Sequence, residues 1–301
     1  MQAPTTPPLP TINGISPSYI WLPEGQWNNA LAFLCQQFPD IEAARWLQRF
    51  AKHEVRSGDG AILHPDSKVR RGMCIYYYRE LAQETSIPFQ EKILFQDDHL
   101  LVVDKPHFLA VTPGGDFLRE TLLVRLKQTT GNASLSPLHR LDRETAGVIL
   151  FSKNIASRGA YQQLFQLRRI DKIYHAVAPH LPEINFPLHK ASRMIEAERF
   201  FLMQEVACTA EAINAETEIA IVERRGPHSL YELRPSTGKK HQLRVHMASL
   251  GAGIVNDNFY PTCLPSGSDD FSKPLQLLAK TIAFTDPFTG AKRVFHSEKN
   301  L

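Results

Sequence analysis

Cysteine is scarce in this chain: four in 301 residues, at Cys35, Cys74, Cys208 and Cys263, with no Cys-x-x-Cys pair among them. That scatter excludes a disulfide framework and a cysteine-based zinc cage, and a reducing cytoplasm is the expected compartment. No apolar run approaches the roughly 18 residues that a bilayer-spanning helix needs, so membrane insertion is not expected. The first 17 residues hold five prolines and neither lysine nor arginine. They lack the basic stretch and apolar centre of a secretory signal and are expected to form a flexible arm over residues 1–18.

Net charge is also low, +3 at pH 7, too small by itself to announce a nucleic-acid partner. The positive charge is instead local. Lysine and arginine outnumber acids eight to three between Arg45 and Arg79, seven to three between Arg140 and Lys172, and four to none between Arg234 and Asn256. The composition, 43% hydrophobic and 22% charged, is that of an ordinary folded protein.

Residues 19–80 read as a small module. Apolar spacing predicts helices around Ala30–Phe38 and Ile41–Phe50, the second capped by Asp40. Gly58-Asp59-Gly60 then predicts a hairpin turn ahead of Ala61-Ile62-Leu63, and Val69–Tyr78 a strand with a basic approach. Two helices leading into a basic hairpin resemble the S-four-type RNA-binding domain. The resemblance implies phosphate contacts from Arg45, Arg49, Lys52, Arg56, Arg70 and Arg71; the alternative is a solvated basic face on a helical cap.

Residues 81–90, with Ser86-Ile87-Pro88, read as a linker into a second domain spanning 91–301. Leu100–Val103 predicts a strand, about Leu118–Lys127 a helix, Val148–Ser152 a buried strand and 155–167 a helix. Lys172–Ala178, 216–222 and 229–234 read as strands, and His241–Ser249 as a helix stopped by Gly251. Strands dominate without the regular alternation of a doubly wound sheet. The expected class is α+β, with a mixed, largely antiparallel sheet in the larger domain and a small α/β module before it.

Within that domain the stretch Pro137-Leu138-His139-Arg140-Leu141-Asp142-Arg143-Glu144-Thr145-Ala146-Gly147 sets an aspartate among arginines, ahead of a glycine that admits a tight turn. Asp142 is the first candidate for chemistry, its plainer alternative being a turn-capping aspartate. Lys172-Ile173-Tyr174 follows about thirty residues later, and Thr237-Gly238-Lys239-Lys240-His241-Gln242-Leu243-Arg244-Val245-His246 comes after that. His241 and His246 are five apart, about 140° round a helix, whereas a chelating helical pair is four apart on one face. No metal is expected.

These three motifs, in this order and spacing over roughly residues 91–262, resemble the RluA-type family of pseudouridine synthases. The resemblance implies isomerisation of uridine within structured RNA, ribosomal or transfer, with neither cofactor nor metal. It implies Asp142 as the reacting carboxylate, Tyr174 stacked on the target uracil, Arg244 paired with Asp142, and Arg140 entering the stack that a flipped nucleotide leaves. Physical reasoning asks for the same set. A stacked base must be extruded at a cost of a few kcal/mol, and an aromatic platform returns about 1–3 kcal/mol of it.

Departures from the family pattern are Ala146 for the commoner serine, Lys239 for the usual arginine, and Asn256 where glycine is expected before Asp257 and Tyr260. That last segment reads as scaffold. Lys105-Pro106 matches a family Lys-Pro, with the lysine near the site floor or purely structural. A non-catalytic RNA-binding or ribosome-assembly protein is the alternative function. A glycosidase would need a second acid positioned across the bond from Asp142, and the partners expected for Asp142 are cations. The expected oligomeric state is a monomer.

Overall fold

In a computed structural model of the chain, residues 7–81, 83–199, 201–265 and 269–301 are described. Most of the arm expected over 1–18 therefore belongs to the description, while Met1–Thr6 lie outside it. The residues divide into two compact units: those up to Thr85 with Pro113–Arg119 and Lys127–Ala133, and a second formed by Ser86–Thr112, Glu120–Leu126 and Ser134–Leu301.

In the first unit, apolar residues three and four apart build two short helices. Helix α1 (Ala30–Gln37) buries Ala30, Phe33 and Leu34, and Asn29 caps it by accepting the Ala32 N–H at 2.8 Å. Helix α2 (Ala43–Ala51) buries Trp46, Arg49 and Phe50. It begins after Glu42, with no side-chain cap, so Asp40 does not take the capping role its sequence position suggested. Strands β1 (Ser18–Trp21), β2 (Val55–Ser57) and β3 (Cys74–Tyr77) form an antiparallel sheet ordered β1-β3-β2. The Gly58–Gly60 turn forms, with the Gly60 N–H donating to the Ser57 carbonyl, but Ala61–Leu63 adds only a single bridge, Arg56 to Ile62. Arg70–Met73 closes a turn of its own, which shortens the expected strand to Cys74–Tyr77.

The second unit is built on strands β4 (Lys92–Gln96), β5 (Leu100–Lys105), β6 (Ser136–Pro137), β7 (Ala146–Ser152), β8 (Ile170–Pro179), β9 (Leu188–Glu196), β10 (Met203–Val206), β11 (Ala215–Arg225), β12 (His228–Pro235), β13 (Leu277–Thr285) and β14 (Lys292–His296). The sheet runs β10-β9-β11-β12-β8-β13-β7-β5-β4, with β14 on β13 and β6 on β7. Among the described residues every pairing between these strands is antiparallel except β7 with β13. A mixed, largely antiparallel sheet is thus what the chain forms. All seven residues of β7 are buried, which explains why its sequence is a continuous apolar run rather than an alternation.

Among the described residues three α-helices accompany the strands in the sequence: α3 (Leu122–Thr130), α4 (Ile155–Gln166) and α5 (Gln242–Ser249). Helix α3 starts four residues later than its apolar spacing suggests, because Thr121 Oγ1 accepts the Val124 N–H and sets the start there. Tyr161 and Leu164 of α4 join Leu100, Val102, Val148, Leu150, Ile282 and Phe284 in one core. Leu243 and Met247 of α5 join Ala176, Ile219, Tyr231, Leu233 and Leu277 in another. Each fully buried aliphatic side chain contributes about 1.5–3 kcal/mol. The two cores fix the end of α4, the start of α5 and the loop before β7 relative to the centre of the sheet. Among the described residues no helix is long and apolar enough to cross a membrane.

Candidate active site

A cleft of about 700 Å³ opens where these three segments meet. Its lining includes Arg140 and Asp142 from the loop before β7, Phe165 and Arg168 from the end of α4, Lys172 and Tyr174 from β8, and Thr237–Arg244 from the turn into α5. Among the described residues, six of the charged lining side chains are lysine or arginine, and Asp142 is the single acid beside them.

The Asp142 loop is tied down on both sides. Upstream, His139 Nε2 accepts the Leu150 N–H at 3.1 Å while the ring stacks on Phe165, centroids 4.9 Å apart. Burial pulls this imidazole down to about 4, with Lys172 adding to the effect, so it sits there neutral. Downstream, the buried Lys105 ammonium donates to the carbonyls of Pro106, Leu109 and Arg143 at 2.8–2.9 Å, and His107 Nδ1 contacts the Glu144 carbonyl at 2.7 Å. Burial draws the Lys105 amine down to about 7, against three acceptors that only an ammonium fully satisfies. The loop then enters β7 through Gly147, at φ +113°, where a Cβ would collide with the Ala279 backbone of β13.

Arg143, the arginine next to Asp142 in sequence, turns away: its guanidinium forks onto Asp269 at 2.6 and 2.8 Å, and its Nε meets Glu144 at 3.1 Å. The cation that reaches Asp142 is Arg244, with Nη1 3.4 Å from Oδ2 and 3.5 Å from Glu144 Oε2. Arg244 is only 1% exposed, and Asp257 grips it through two bonds of 2.8 and 2.6 Å. Burial alone would lower its pKa, but the Asp257 carboxylate, helped by Asp142 and Glu144, raises it well above the usual arginine value. Phe259 lies beneath the guanidinium, 4.7 Å from carbon to ring centre.

Tyr174, half-buried on β8, faces Asp142 closely enough that the carboxylate adds to burial in pushing its phenol above the usual range. Arg140 is exposed on the cleft lining. Asp142, Arg140, Tyr174 and Arg244 therefore converge on one cleft. Gln242 holds the turn into α5 together: its Oε1 accepts from Thr237 Oγ1 and the Lys239 N–H, and its Nε2 donates to the Glu216 carbonyl and Thr217. The two histidines of the motif serve separate networks, His241 with Tyr260 and His246 with Ser192 and Thr217.

Asp257 and Tyr260, which the sequence reads as scaffold, do not line the cleft, yet each holds a residue that does: Asp257 grips Arg244 and Tyr260 bonds His241. The available signal was chemical: an arginine destined for burial needs a carboxylate of its own, and an Asp-x-x-Tyr step offers one. Asn256 adopts φ +62°, which accounts for glycine in the related pattern and for the asparagine here, a residue that tolerates the left-handed region. Of the six basic residues singled out in the first unit, Arg45, Lys52 and Arg70 are exposed and Arg56 half-buried. Arg71 pairs with Glu24 at 2.6 Å on the surface. Arg49 is 3% exposed, lies over the Trp46 ring at 4.5 Å and meets Glu80 at 3.5 Å, so it is built into the core and is not placed for a phosphate.

The family described as RNA pseudouridylate synthase matches residues 99–249, which include the cleft's loop, its tyrosine strand and its arginine helix. An RNA pseudouridine synthase from Synechocystis is 31% identical over 76% of this chain and 78% of its own length. The ribosomal large subunit pseudouridine synthase D of Xanthomonas campestris is 28% identical over 86% and 82%, and the dual-specificity RNA pseudouridine synthase RluA of Vibrio cholerae 31% over 65% and 77%. The solved structure of human RNA pseudouridylate synthase domain containing 1 shares the fold, with a TM-score of 0.57, 23% identity and coverage of 72% of this chain and 86% of that one. On the sequence match, the chain belongs to the RNA pseudouridylate synthase family of isomerases and is of the RluA type.

Proposed function

We propose that this enzyme isomerises specific uridines in structured ribosomal or transfer RNA, with Asp142 as the reacting carboxylate. The observation that carries the reading is that, among the described residues, Asp142 is the one acid on the lining of a cleft otherwise charged by Arg140, Arg168, Lys172, Lys239, Lys240 and Arg244, with Glu144 and Asp257 set behind it on Arg244. Cations of this density attract a polyanion, and a lone carboxylate among them is held for a reacting group. The bond from ribose to N1 breaks, the uracil turns, and it is rejoined through C5; C5 gives up its proton and N1 takes one, so the product is an isomer.

The residues take separate roles. Arg244, steadied by Asp257, holds one oxygen of Asp142. Tyr174 offers a ring to the extruded uracil, a stacking contribution of about 1–3 kcal/mol. Arg140, exposed on the cleft lining, fills the space the base leaves in the RNA stack. The first unit acts as an S-four-type RNA-binding module through Arg45, Lys52, Arg56, Arg70 and Arg71, and the protein works as a cytoplasmic monomer.

Incubating purified protein with uridine-containing RNA and mapping pseudouridine tests this directly. Asp142→Asn and Asp142→Ala are expected to abolish product while leaving RNA binding in place. Product from either variant would remove Asp142 from the reaction, and RNA bound but never modified by the parent protein would favour a non-catalytic RNA-binding or assembly role.

A further inference from the structure

His241 occupies the left-handed backbone position that opens α5, at φ +55°, with its side chain 7% exposed. Its ring nitrogens face different partners. Nδ1 lies 2.9 Å from Tyr260 Oη, and Nε2 lies 4.0 Å from Asp142 Oδ1. Tyr260 Oη also accepts the Met203 backbone N–H at 2.8 Å. A phenol that accepts from an amide still has its own hydrogen to give, and Nδ1 is the acceptor beside it. With Nδ1 accepting, a neutral imidazole carries its hydrogen on Nε2, the nitrogen turned to the carboxylate. The opposite tautomer would set a bare Nε2 lone pair against a carboxylate oxygen.

The groups facing the ring come from three segments: Asp142 and Glu144 from the loop, Lys240 and Arg244 from the turn and helix, and Phe259 and Tyr260 from the segment after α5. Burial, the largest influence, takes the imidazole below its usual value, and the Asp142 carboxylate only partly opposes it. The neutral form of the ring is thereby favoured.

We propose that His241 is a positioning residue for Asp142: a chain from the Met203 amide through Tyr260 fixes its tautomer, so that Nε2–H addresses Oδ1 while Arg244 addresses Oδ2. The carboxylate plane is then set from two sides, and each oxygen keeps a lone pair for the substrate. The 4.0 Å separation is longer than a hydrogen bond, as catalytic contacts commonly are before a substrate is seated. The proposal rests on the reading of Asp142 as the reacting carboxylate.

The test combines a spectrum with kinetics on the full chain. NMR of protein carrying 15N-labelled histidine should show His241 protonated at Nε2 and bare at Nδ1, and Tyr260→Phe, which removes the hydrogen given to Nδ1, should shift the Nδ1 signal. In single-turnover assays His241→Ala should lower the rate of pseudouridine formation about a hundredfold at saturating RNA, with KM within about twofold. His241→Gln, whose amide can present an N–H at similar reach, should recover about tenfold of that loss. If His241→Ala does not fold, Tyr260→Phe keeps the ring in place and should still slow the saturated rate. A spectrum protonated at Nδ1, an unchanged saturated rate, or a loss confined to KM would overturn the proposal. Failure of the underlying reading shows itself separately, as activity surviving in Asp142→Ala while the tautomer spectrum is as expected.

Discussion

Arg244 and Asp257 form a closed fork, Nε to Oδ2 at 2.8 Å and Nη2 to Oδ1 at 2.6 Å, with both side chains almost wholly buried. The fork leaves one guanidinium nitrogen, Nη1, for Asp142 and Glu144. Asp257 thus decides where the Asp142 partner points, although it makes no approach to the cleft itself. Removing one partner of a buried pair strands the other's charge, at a cost of about 3–5 kcal/mol. Asp257→Ala should lower stability by that order in urea titrations and should slow pseudouridine formation even under conditions where the variant is fully folded. Unchanged stability would mean that the carboxylates of Asp142 and Glu144, at 3.4 and 3.5 Å, suffice for Arg244.

Gly147 makes the second prediction. Its φ of +113° and its approach to the Ala279 backbone leave no place for a side chain where β7 meets β13 in the sheet's parallel pairing. Gly147→Ala adds both a strained backbone and an overlap, and should cost about 3 kcal/mol or more. Loss of soluble protein or a lowered urea midpoint checks it; wild-type stability would show that the strand can shift without harm.

Acid should destabilise the fold through two neutral histidines. Burial pulls both His139 and His246 down to about 4, whereas in the unfolded chain they titrate near the ordinary 6.5. Between those values the unfolded chain binds protons that the folded chain refuses. Stability is therefore undiminished by these groups above about 6.5, falls as pH drops from there toward 4, and levels off below, at a cost on the order of 3 kcal/mol for each. Urea titrations at a series of pH values read the slope, and His246→Gln should make it shallower. A stability flat from pH 7 to 4.5 would contradict the assignment.

Much of the site was legible in the sequence because its motifs are local. The loop with Asp142, the strand with Tyr174 and the helix with Arg244 each carry their residues within about ten positions. What brings them together was not legible. Strand β13, which joins β7 to β8, is bracketed by Pro274 and the Asp286-Pro287-Phe288-Thr289-Gly290 turn, but neither signal says which strands it pairs with, and β4, β9, β10 and β14 are equally silent on their partners. Their pairing is decided by non-local contacts, which spacing along the chain does not encode. The buried partners show the same limit: Arg143 sits beside Asp142 in sequence but serves Asp269, while Arg244, a hundred residues on, serves Asp142.

The basic residues of the first unit should separate by burial. Arg45, Lys52 and Arg70 are exposed, and replacing each by alanine should weaken RNA binding and reduce the slope of log affinity against log salt by about one per lost phosphate contact. Arg49→Ala should act differently, lowering the stability of the unit by removing the cation from the Trp46 face and from Glu80, with the salt slope unchanged. Equal effects on binding from Arg49 and Arg45 would argue that the unit opens on RNA.

Arg140 gives the sharpest comparison between substrates. Its proposed work, filling the gap left by the extruded uridine, matters only when there is a stack to leave. Extrusion costs a few kcal/mol from a paired or stacked position and much less from an open loop. Arg140→Ala should therefore reduce kcat/KM strongly, by about tenfold to a hundredfold, for a uridine stacked within a stem. It should reduce it only a few-fold for the same uridine presented in an unstructured loop. Assays of the two RNAs with parent and variant protein, at one salt concentration, isolate the effect from general loss of positive charge. Equal losses on both would make Arg140 an ordinary phosphate contact.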